Sequence, residues 1–594
     1  MSDKLTYGRR PIVLVGLKQP RCSNTFGTSP CTATGTPKCY QCYWTCLDRS
    51  NYNTDASITW LFTREGDDVD WLYDETGDDI RTNAIPMLLN ASTTSSRLNV
   101  GSSRTGESPL GRRATATVTV ANRVWDDHVG DPYLADRPDR DPVGFWTLFD
   151  ARNPFTPGFE VTIYEGYSGQ ALDDMQARLF NLEDISGPDG SGNYTLSCRD
   201  PLDDLRGKNA QYPPLSQIEL AEDVDATQTT IPVVCALDEL TAAYGNTGAT
   251  RYLVINDEII SYTAATGTAP ELTLTGVVRG QIGTVAQEHS AEDSAQRGAY
   301  HVDQRLYEVA QYIIENHTSV KSDYIDDAQW AEEGGTYLST LRCNTFLPTP
   351  NDVDGLIGEL CRDGLFSIWW DERTQTIPLL AVRPPRGTPL QWTDDANIET
   401  LTQETNADER MTRVSVYFGP RDFLGSLTDP LNFDRRRIRI DAEVESEQAA
   451  GGKIFDNTIF SRWTKTFGNA LLVGSSLLLR YRLPPKYITV TLDAKDNAVQ
   501  IGDVVDLTTR KIRDTEGQPI VTRWQVIGVD DKSHATKLSV MMQSFAFIGK
   551  FAIIMANDAP NYADATDEEK LEGCWLADDV TGKMPDGSEP YLLQ

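Results

Sequence analysis

Apolar and polar residues alternate with period two along much of this chain, which predicts strands more often than helices. The cleanest run is Arg113–Val120 (RATATVTV), where every second side chain is apolar. Shorter runs at Ser57–Phe62, Ile85–Leu89, Phe145–Phe149 and Phe159–Tyr164 read as strands beside it. The turn Gly187-Pro-Asp-Gly190 leads a hairpin into Tyr194–Cys198. Glu65–Asp79 reads as an exposed acidic loop, and Asp131–Pro142 (DPYLADRPDRDP) as irregular, because its prolines break any ladder. A second β unit follows Pro213-Pro214, with strands at Thr230–Val234, Tyr252–Tyr262 and Leu272–Val278. The Gly-punctuated segment Arg279–His289 lacks the order of a phosphate-binding loop and follows no βα unit, so it reads as a tight turn.

The period then changes. Leu306, Val309, Ala310, Ile313, Ile314 and His317 fall on one helical stripe, with His317 as a packing or terminal residue. A shorter helix is predicted over Val353–Arg362, closed by Gly364. Phe366, Ile368 and Trp370 alternate on a strand that turns at Asp371–Thr374 into Ile377–Val382. Further on, Met411–Phe418 reads as a strand and Phe460–Leu483 as a long helix. Tyr487–Leu492, Val504–Leu507 and Trp524–Val529 read as strands of a barrel, with a turn at Asp514–Gly517. The fold class is therefore mainly β and multidomain, with α+β insertions between barrels. The expected divisions are 1–50, 51–212, 213–300, 301–390, 391–545 and an acidic C-terminal arm over 546–594.

Length and charge narrow the function. A chain of 594 residues predicts about three to five domains. No window approaches the roughly 20 apolar residues that cross a bilayer, since the longest candidate, Phe545–Ala556, is interrupted by Lys550. The start MSDKLTYGRR carries no secretory pattern, and a soluble protein is expected. A formal charge of −33 argues against a protein that grips nucleic acid. It suits a surface or lumen that lets a polyanion pass without sticking. Arg435, Arg436, Arg437 and Arg439 form the densest basic run, which Asp434, Asp441, Glu443 and Glu445 are expected to neutralise; it reads as a surface strand or subunit interface.

Five of the ten cysteines, Cys22, Cys31, Cys39, Cys42 and Cys46, lie within residues 22–46. Disulfides suit small chains in oxidising compartments, and this chain is large enough to bury a core without them. Structural zinc favours paired C-x2-C knuckles, and only Cys39–Cys42 has that spacing. Loosely spaced thiolates on a Gly/Thr/Pro-rich loop suit an iron–sulfur cluster best, with Zn2+ as the alternative metal and paired or free thiols behind both.

The run QPRC…TFGTSPCTA…GTPKCY…TC resembles the start of a family of tailed-phage structural proteins that form the tail-tip, or baseplate, hub. The likeness continues in IPMLLN, GRRATATVTV, DDHVGDPY, ARNP, SCRDPLDDL, VVRGQIGTVAQEH, SIWWDE, IPLLAVRP, VQIGDVVDL and MPDGSEPY, in the same order over nearly the whole chain. The resemblance implies a [4Fe–4S] cluster on Cys22, Cys31, Cys39 and Cys46, with Cys42 as a fifth candidate outside the family pattern. It also implies a virion protein of the tail tip, made in the bacterial cytoplasm. Residues 51–212 and 391–545 would be two tube-like barrels. A homotrimer would then present a pseudo-sixfold face to the distal tail protein ring, with the tape-measure protein inside. The central tail fibre or receptor-binding proteins would sit opposite, and DNA would leave through the lumen.

Catalytic motifs are absent. The five histidines form no H-E-x-x-H, and neither G-x-S-x-G nor a Walker motif occurs. Cys343 and Cys361 have no histidine nearby in sequence, Asp126-Asp127-His128 reads as a solvated loop, and Asn351–Gly355 lacks the closing Glu of a Ca2+ loop. A non-enzymatic structural protein is expected; the alternative is a tail-associated lysin or glycan-binding protein acting on the host envelope.

Overall fold

The structure, a computed structural model, describes residues 10–67, 84–100, 108–206, 210–383, 389–446, 453–533, 536–544 and 564–566. Its first unit is a closed barrel of seven strands: β1 (Pro11–Arg21), β2 (Ala56–Arg64), β3 (Ala84–Thr94), β4 (Thr115–Val120), β5 (Glu160–Tyr167), β6 (Gln176–Ser186) and β7 (Tyr194–Arg199). The order around it is β1-β2-β3-β4-β7-β6-β5, returning to β1. Only β2 and β3 run parallel. The alternation read in RATATVTV is the barrel's inside and outside, with Ala116, Val118 and Val120 buried. Val15, Phe62, Ile163, Phe180 and Leu196 complete the interior, each such burial stabilising by about 1.5–3 kcal/mol. Closure leaves no strand edge free on this unit.

β1 sits between β2 and β5, with Val15 opposite both Phe62 and Ile163. The barrel therefore takes a strand from before residue 50, and the expected division there runs through it. Phe145–Phe149, expected as a strand, is the start of helix α1 (Phe145–Arg152). Its buried residues are Phe145, Trp146 and Phe149, a spacing of one and three that one side of a helix satisfies and one face of a strand does not. The Asn122 side chain accepts from the Trp146 N–H at 3.0 Å and so serves the open helix start.

The small β module is an eight-stranded sheet over its own core, including Leu253, Ile260 and Leu274. Tyr252–Tyr262, read as one strand, is a hairpin of Arg251–Ile255 and Glu258–Tyr262 that reverses at Asn256, where φ is +51°. The Arg279–His289 turn wraps a carboxylate. Glu258 is fully buried, pairs with Arg279 at 2.7 Å, and accepts from the Gly280 and Gln287 amides at 2.9 and 3.1 Å. His289 meets the same carboxylate at 2.9 Å.

Helices α2 (Leu306–His317), α3 (Asp327–Tyr337) and α4 (Val353–Gly364) pack into the largest core. The Asp352 side chain accepts from the Gly355 N–H and starts α4, and Leu365 closes it in the left-handed region. Beyond them come β8 (Leu390–Thr393), β9 (Ile398–Thr405), β10 (Arg413–Pro420), β11 (Phe433–Ile440), β12 (Asp456–Ser461), β13 (Lys486–Asp493), β14 (Val504–Arg513), β15 (Pro519–Ser533) and β16 (Lys537–Ser544). Six of these form one sheet in the order β8-β14-β15-β16-β13-β9. Its edge strands β8 and β9 are joined by the turn 394–397, so the sheet is rolled until its edges meet at that turn, around Trp392, Val490, Leu507 and Val526. The long helix expected over Phe460–Leu483 is shorter: β12 takes its first residues, and α5 (Phe467–Tyr481) starts at Thr466, whose side chain accepts from the Asn469 N–H.

The closed barrel and the rolled six-stranded sheet are tied directly. The chain leaving β3 runs on as Arg97, which bridges both Arg112 and Gly528 of β15. The Leu98 N–H donates to the Ile527 carbonyl at 2.8 Å, and Arg112 grips Asp530 through two bonds of 2.9 Å. Leu98, Trp369, Tyr487 and Ile527 fill the space between. The C-terminal arm and Phe545–Ala556 lie outside the described residues apart from 564–566, as does most of the acidic loop Glu65–Asp79. Among the described residues no helix is long and apolar enough to cross a membrane.

Candidate functional site

The cysteine segment leaves the barrel at Arg21 and returns at Ala56, residues that face each other across β1 and β2. Residues 22–55 are thus an excursion pinned at both ends, with only two short 3-10 turns, Tyr43–Thr45 and Arg49–Asn51. With no long apolar run to bury, it needs polar anchors to offset the entropy of ordering it. The Cys22 N–H donates to the Gln41 carbonyl at 2.8 Å and the Ser23 N–H to Asn53 at 3.1 Å, folding the excursion back on itself. Asp48 accepts from the Thr32 amide at 2.7 Å and its hydroxyl at 2.9 Å, and these bonds with Asn51 and Ser50 hold its carboxyl down at about 2.

The strongest anchor is Tyr40. Its ring lies between the guanidinium groups of Arg137 and Arg152, 3.9 and 3.8 Å from the ring centroid. Each cation carries its own carboxylate: Arg137 pairs with Asp131 at 2.9 Å, and Arg152 holds Asp127 with bonds of 2.9 and 2.7 Å. Arg137 also donates to the Cys39 carbonyl at 2.9 Å, and Arg21 to that of Tyr40 at 2.7 Å. Asp126-Asp127-His128 therefore differs from its expected solvated state. Asp126 and His128 are exposed and bonded to each other, but Asp127 is buried, with φ at +63°. The irregular stretch Asp131–Pro142 is irregular as predicted, except for a short turn at Leu134–Asp136, and its Asp131, Asp136 and Arg137 hold the cysteine excursion. Sequence reasoning missed this clamp; the available signal was a loop too rich in proline to pair yet carrying matched charges.

Several thiols of the excursion feel one another's charge, Cys42 and Cys39 included. Burial pushes the Cys39 thiol up, and Cys31 and Cys22 push it further. Cys46 is raised by burial first and then by Cys39, Cys22 and Cys31. Both effects disfavour the charged thiolate, so Cys39 and Cys46 favour the protonated thiol. Sulfur-directed N–H groups are in place as well, the Asp48 amide donating to Cys46 Sγ at 3.4 Å. Cys42 is turned to the barrel wall. Its Sγ accepts from Gln19 Nε2 at 3.0 Å, and that Gln19 also bonds Asn153 and, through its oxygen, the Trp60 indole. Burial raises the Cys42 thiol while Arg21 and Arg152 pull it back. A pocket of about 20 Å³ beside it, lined by Gln19, Arg21, Trp60 and Arg152, has room for about one water.

The donor set can be tested against the metals expected of it. Among the described residues no three of His, Cys, Asp or Glu stand close enough to hold a single metal ion. A tetrahedral zinc site draws its thiolates close together, at Zn–S distances of about 2.3 Å. An iron–sulfur cluster, several atoms across, keeps them farther apart while binding all four. Cys22, Cys31, Cys39 and Cys46 put four candidate sulfur donors on one excursion, the number that either group takes. Cys343 and Cys361 are buried singly in the central core, the former pushed up to about 12, which leaves them protonated and unsuited to nucleophilic attack.

No family model matches the chain, and no curated protein matches its sequence. Several solved structures share parts of its shape. A tail protein from Neisseria meningitidis aligns over 76% of this chain and 91% of its own, with TM-score 0.34 and 10% identity. A prophage tail protein from Listeria monocytogenes aligns over 83% and 92%, with TM-score 0.34 and 9% identity. The virion of a gene transfer agent contains a chain that aligns over 56% and 81%, with TM-score 0.29 and 9% identity. Likeness of this degree carries no residue role from one protein to another.

Proposed function

We propose that this chain is a structural subunit of a tailed-phage tail tip, the baseplate hub, carrying a [4Fe–4S] cluster on Cys22, Cys31, Cys39 and Cys46. The observation that carries the reading is the direct union of two rolled β units, through Arg97, Leu98, Arg112 and Asp530, in one chain. Two such units per subunit make a homotrimer a ring of six, which suits docking on the distal tail protein ring around the end of the tape-measure protein. The opposite face would hold the central tail fibre or receptor-binding proteins. An acidic lumen would let DNA pass without binding it. The protein would then reside in the virion, at the tail tip.

The cluster's part would be structural. When bound, it would cross-link four thiolates and offset part of their charge. The chain's own residues do the rest: Arg137 and Arg152 hold Tyr40, Asp48 holds Thr32, and Gln19 keeps Cys42 out of the ligand set. The test is iron, sulfide and zinc content with a visible spectrum, on protein purified without oxygen, together with its mass by light scattering. About four irons and four sulfides per chain and a trimer mass support both halves of the reading. Serine at Cys22, Cys31, Cys39 or Cys46 should abolish the iron, and Cys42→Ser should keep it. One zinc without colour overturns the cluster, and a monomer at micromolar concentration overturns the hub.

A further inference from the structure

β11 is an edge strand. It pairs with β10 on one side, and among the described residues no strand covers its other side. Every second backbone N–H and C=O of such a strand points away from its partner, open to another chain. Its sequence, FDRRRIRI, puts Arg435, Arg437 and Arg439 on the face shared with Phe418, Val416 and Val414, and Arg436, Ile438 and Ile440 on the other.

The carboxylates expected to neutralise these arginines are committed elsewhere. Asp434 pairs with Arg421 at 2.9 Å, Asp441 and Glu443 with Arg482 at 3.3 Å each, and Glu445 with Arg413 at 3.2 Å. Arg436 lies over the Tyr417 ring and donates to Ser415, and Arg437 lies over Phe467 at 4.3 Å. Among the described residues Arg435, Arg437 and Arg439 meet no carboxylate, in a chain of formal charge −33. On the opposite face of the strand Ile438 and Ile440 stand 37% and 49% exposed. An open backbone edge, flanked on one face by cations that meet no carboxylate and on the other by two exposed isoleucines, describes a place for an added strand that is acidic and partly apolar.

We propose that the occupant is the C-terminal stretch 567–594 of this chain. It holds eight carboxylates against two lysines, with Leu571, Trp575 and Leu576 between them. Charge meets charge, and the apolar residues answer Ile438 and Ile440. Extended, at ~3.3–3.6 Å per residue, the stretch reaches at most about 90–100 Å. Nucleic acid is the other polyanion with the right charge, but phosphates offer nothing to a bare isoleucine or an open strand edge.

Hydrogen exchange on the full chain tests this. Backbone amides of 433–440 should exchange at least about ten-fold faster in the full chain carrying Glu568→Gln, Glu569→Gln, Glu572→Gln, Asp578→Asn and Asp579→Asn, and in unaltered protein at high salt, since exposed ion pairs are screened. An unchanged rate in the variant overturns the proposal and leaves the arginines as guards of a strand edge. Protection that duplex DNA alone confers, equally in both proteins, overturns it in favour of phosphate contact. The trimer mass is read separately, so loss of the hub reading and loss of this one are distinguishable.

Discussion

Replacing Asp127 with asparagine isolates the clamp on the cysteine excursion. Asparagine tolerates the left-handed backbone at this position, where φ is +63°, so shape is kept and only charge is lost. Asp127 is the shared counter-ion of Arg152 at 2.7 Å and Arg140 at 2.9 Å, with its side chain 4% exposed. Removing one member of a buried pair costs about 3–5 kcal/mol. Arg140 is 34% exposed and recovers water, which favours the lower figure. Arg152 then loses its hold, and with it one side of the Tyr40 sandwich. About 3 kcal/mol is roughly a hundred-fold in a local opening equilibrium, at 1.4 kcal/mol per decade. The reporter is the Cys22 amide, bonded to the Gln41 carbonyl, followed by hydrogen exchange. Its protection should fall about a hundred-fold in Asp127→Asn. Burial alone would raise the Asp127 carboxyl, but Arg152 and Arg140 outweigh it and hold the group below its ordinary 3.8. The clamp is therefore complete above that value and is lost as pH falls beneath it, in the unaltered protein only. A change in protection of less than about three-fold would show that the excursion is held by something other than this charge, and the argument would fail.

Two further outcomes are expected. Gly111→Ala should loosen the joint between the barrel and the six-stranded sheet, because φ there is +82° and a Cβ would stand 1.9 Å from the Arg97 carbonyl oxygen; a destabilisation of at least ~2 kcal/mol should appear as a lower melting temperature. Glu258→Gln should strip the small module of its buried counter-ion and cost about 3 kcal/mol, read by exchange over 251–262. Burial works against the Glu258 charge, yet Arg279 and two amides bring the carboxyl down to about 2, so the unaltered module should weaken as pH falls from about 4.5 toward 2 and the variant should stay level.

Much of the fold was legible because much of it is one-sided. Arg113–Val120 and Leu306–His317 each carry a single unbroken period, and both elements form where that period placed them. α3 was invisible for a physical reason: its buried side consists of Trp330, Glu333 and Gly334, and the glycine reads as a break. In space that glycine admits the Tyr307 ring, which an added Cβ would approach to 2.6 Å. Closure of the first barrel was equally out of reach, since it depends on Pro11–Lys18 meeting Glu160–Tyr167 in register, a long-range fact that no window contains. At the site, the cysteine spacing marked the excursion but not the charged clamp that holds it. That Cys42 turns inward depends on Gln19, a residue on the neighbouring strand with no motif to mark it.

The position of β1 in the barrel has a consequence for synthesis. β1 and all five clustered cysteines are made first, but β5, which covers the free side of β1, ends at Tyr167, 121 residues after Cys46. At ~5–20 residues per second, roughly 6–24 s pass on the ribosome between the last cysteine and the strand that closes the wall. Arg152, which completes the Tyr40 clamp, emerges only near the end of that interval. For those seconds the thiols stand on a chain whose wall has not closed, so the loop meets its surroundings before the barrel that carries it is complete.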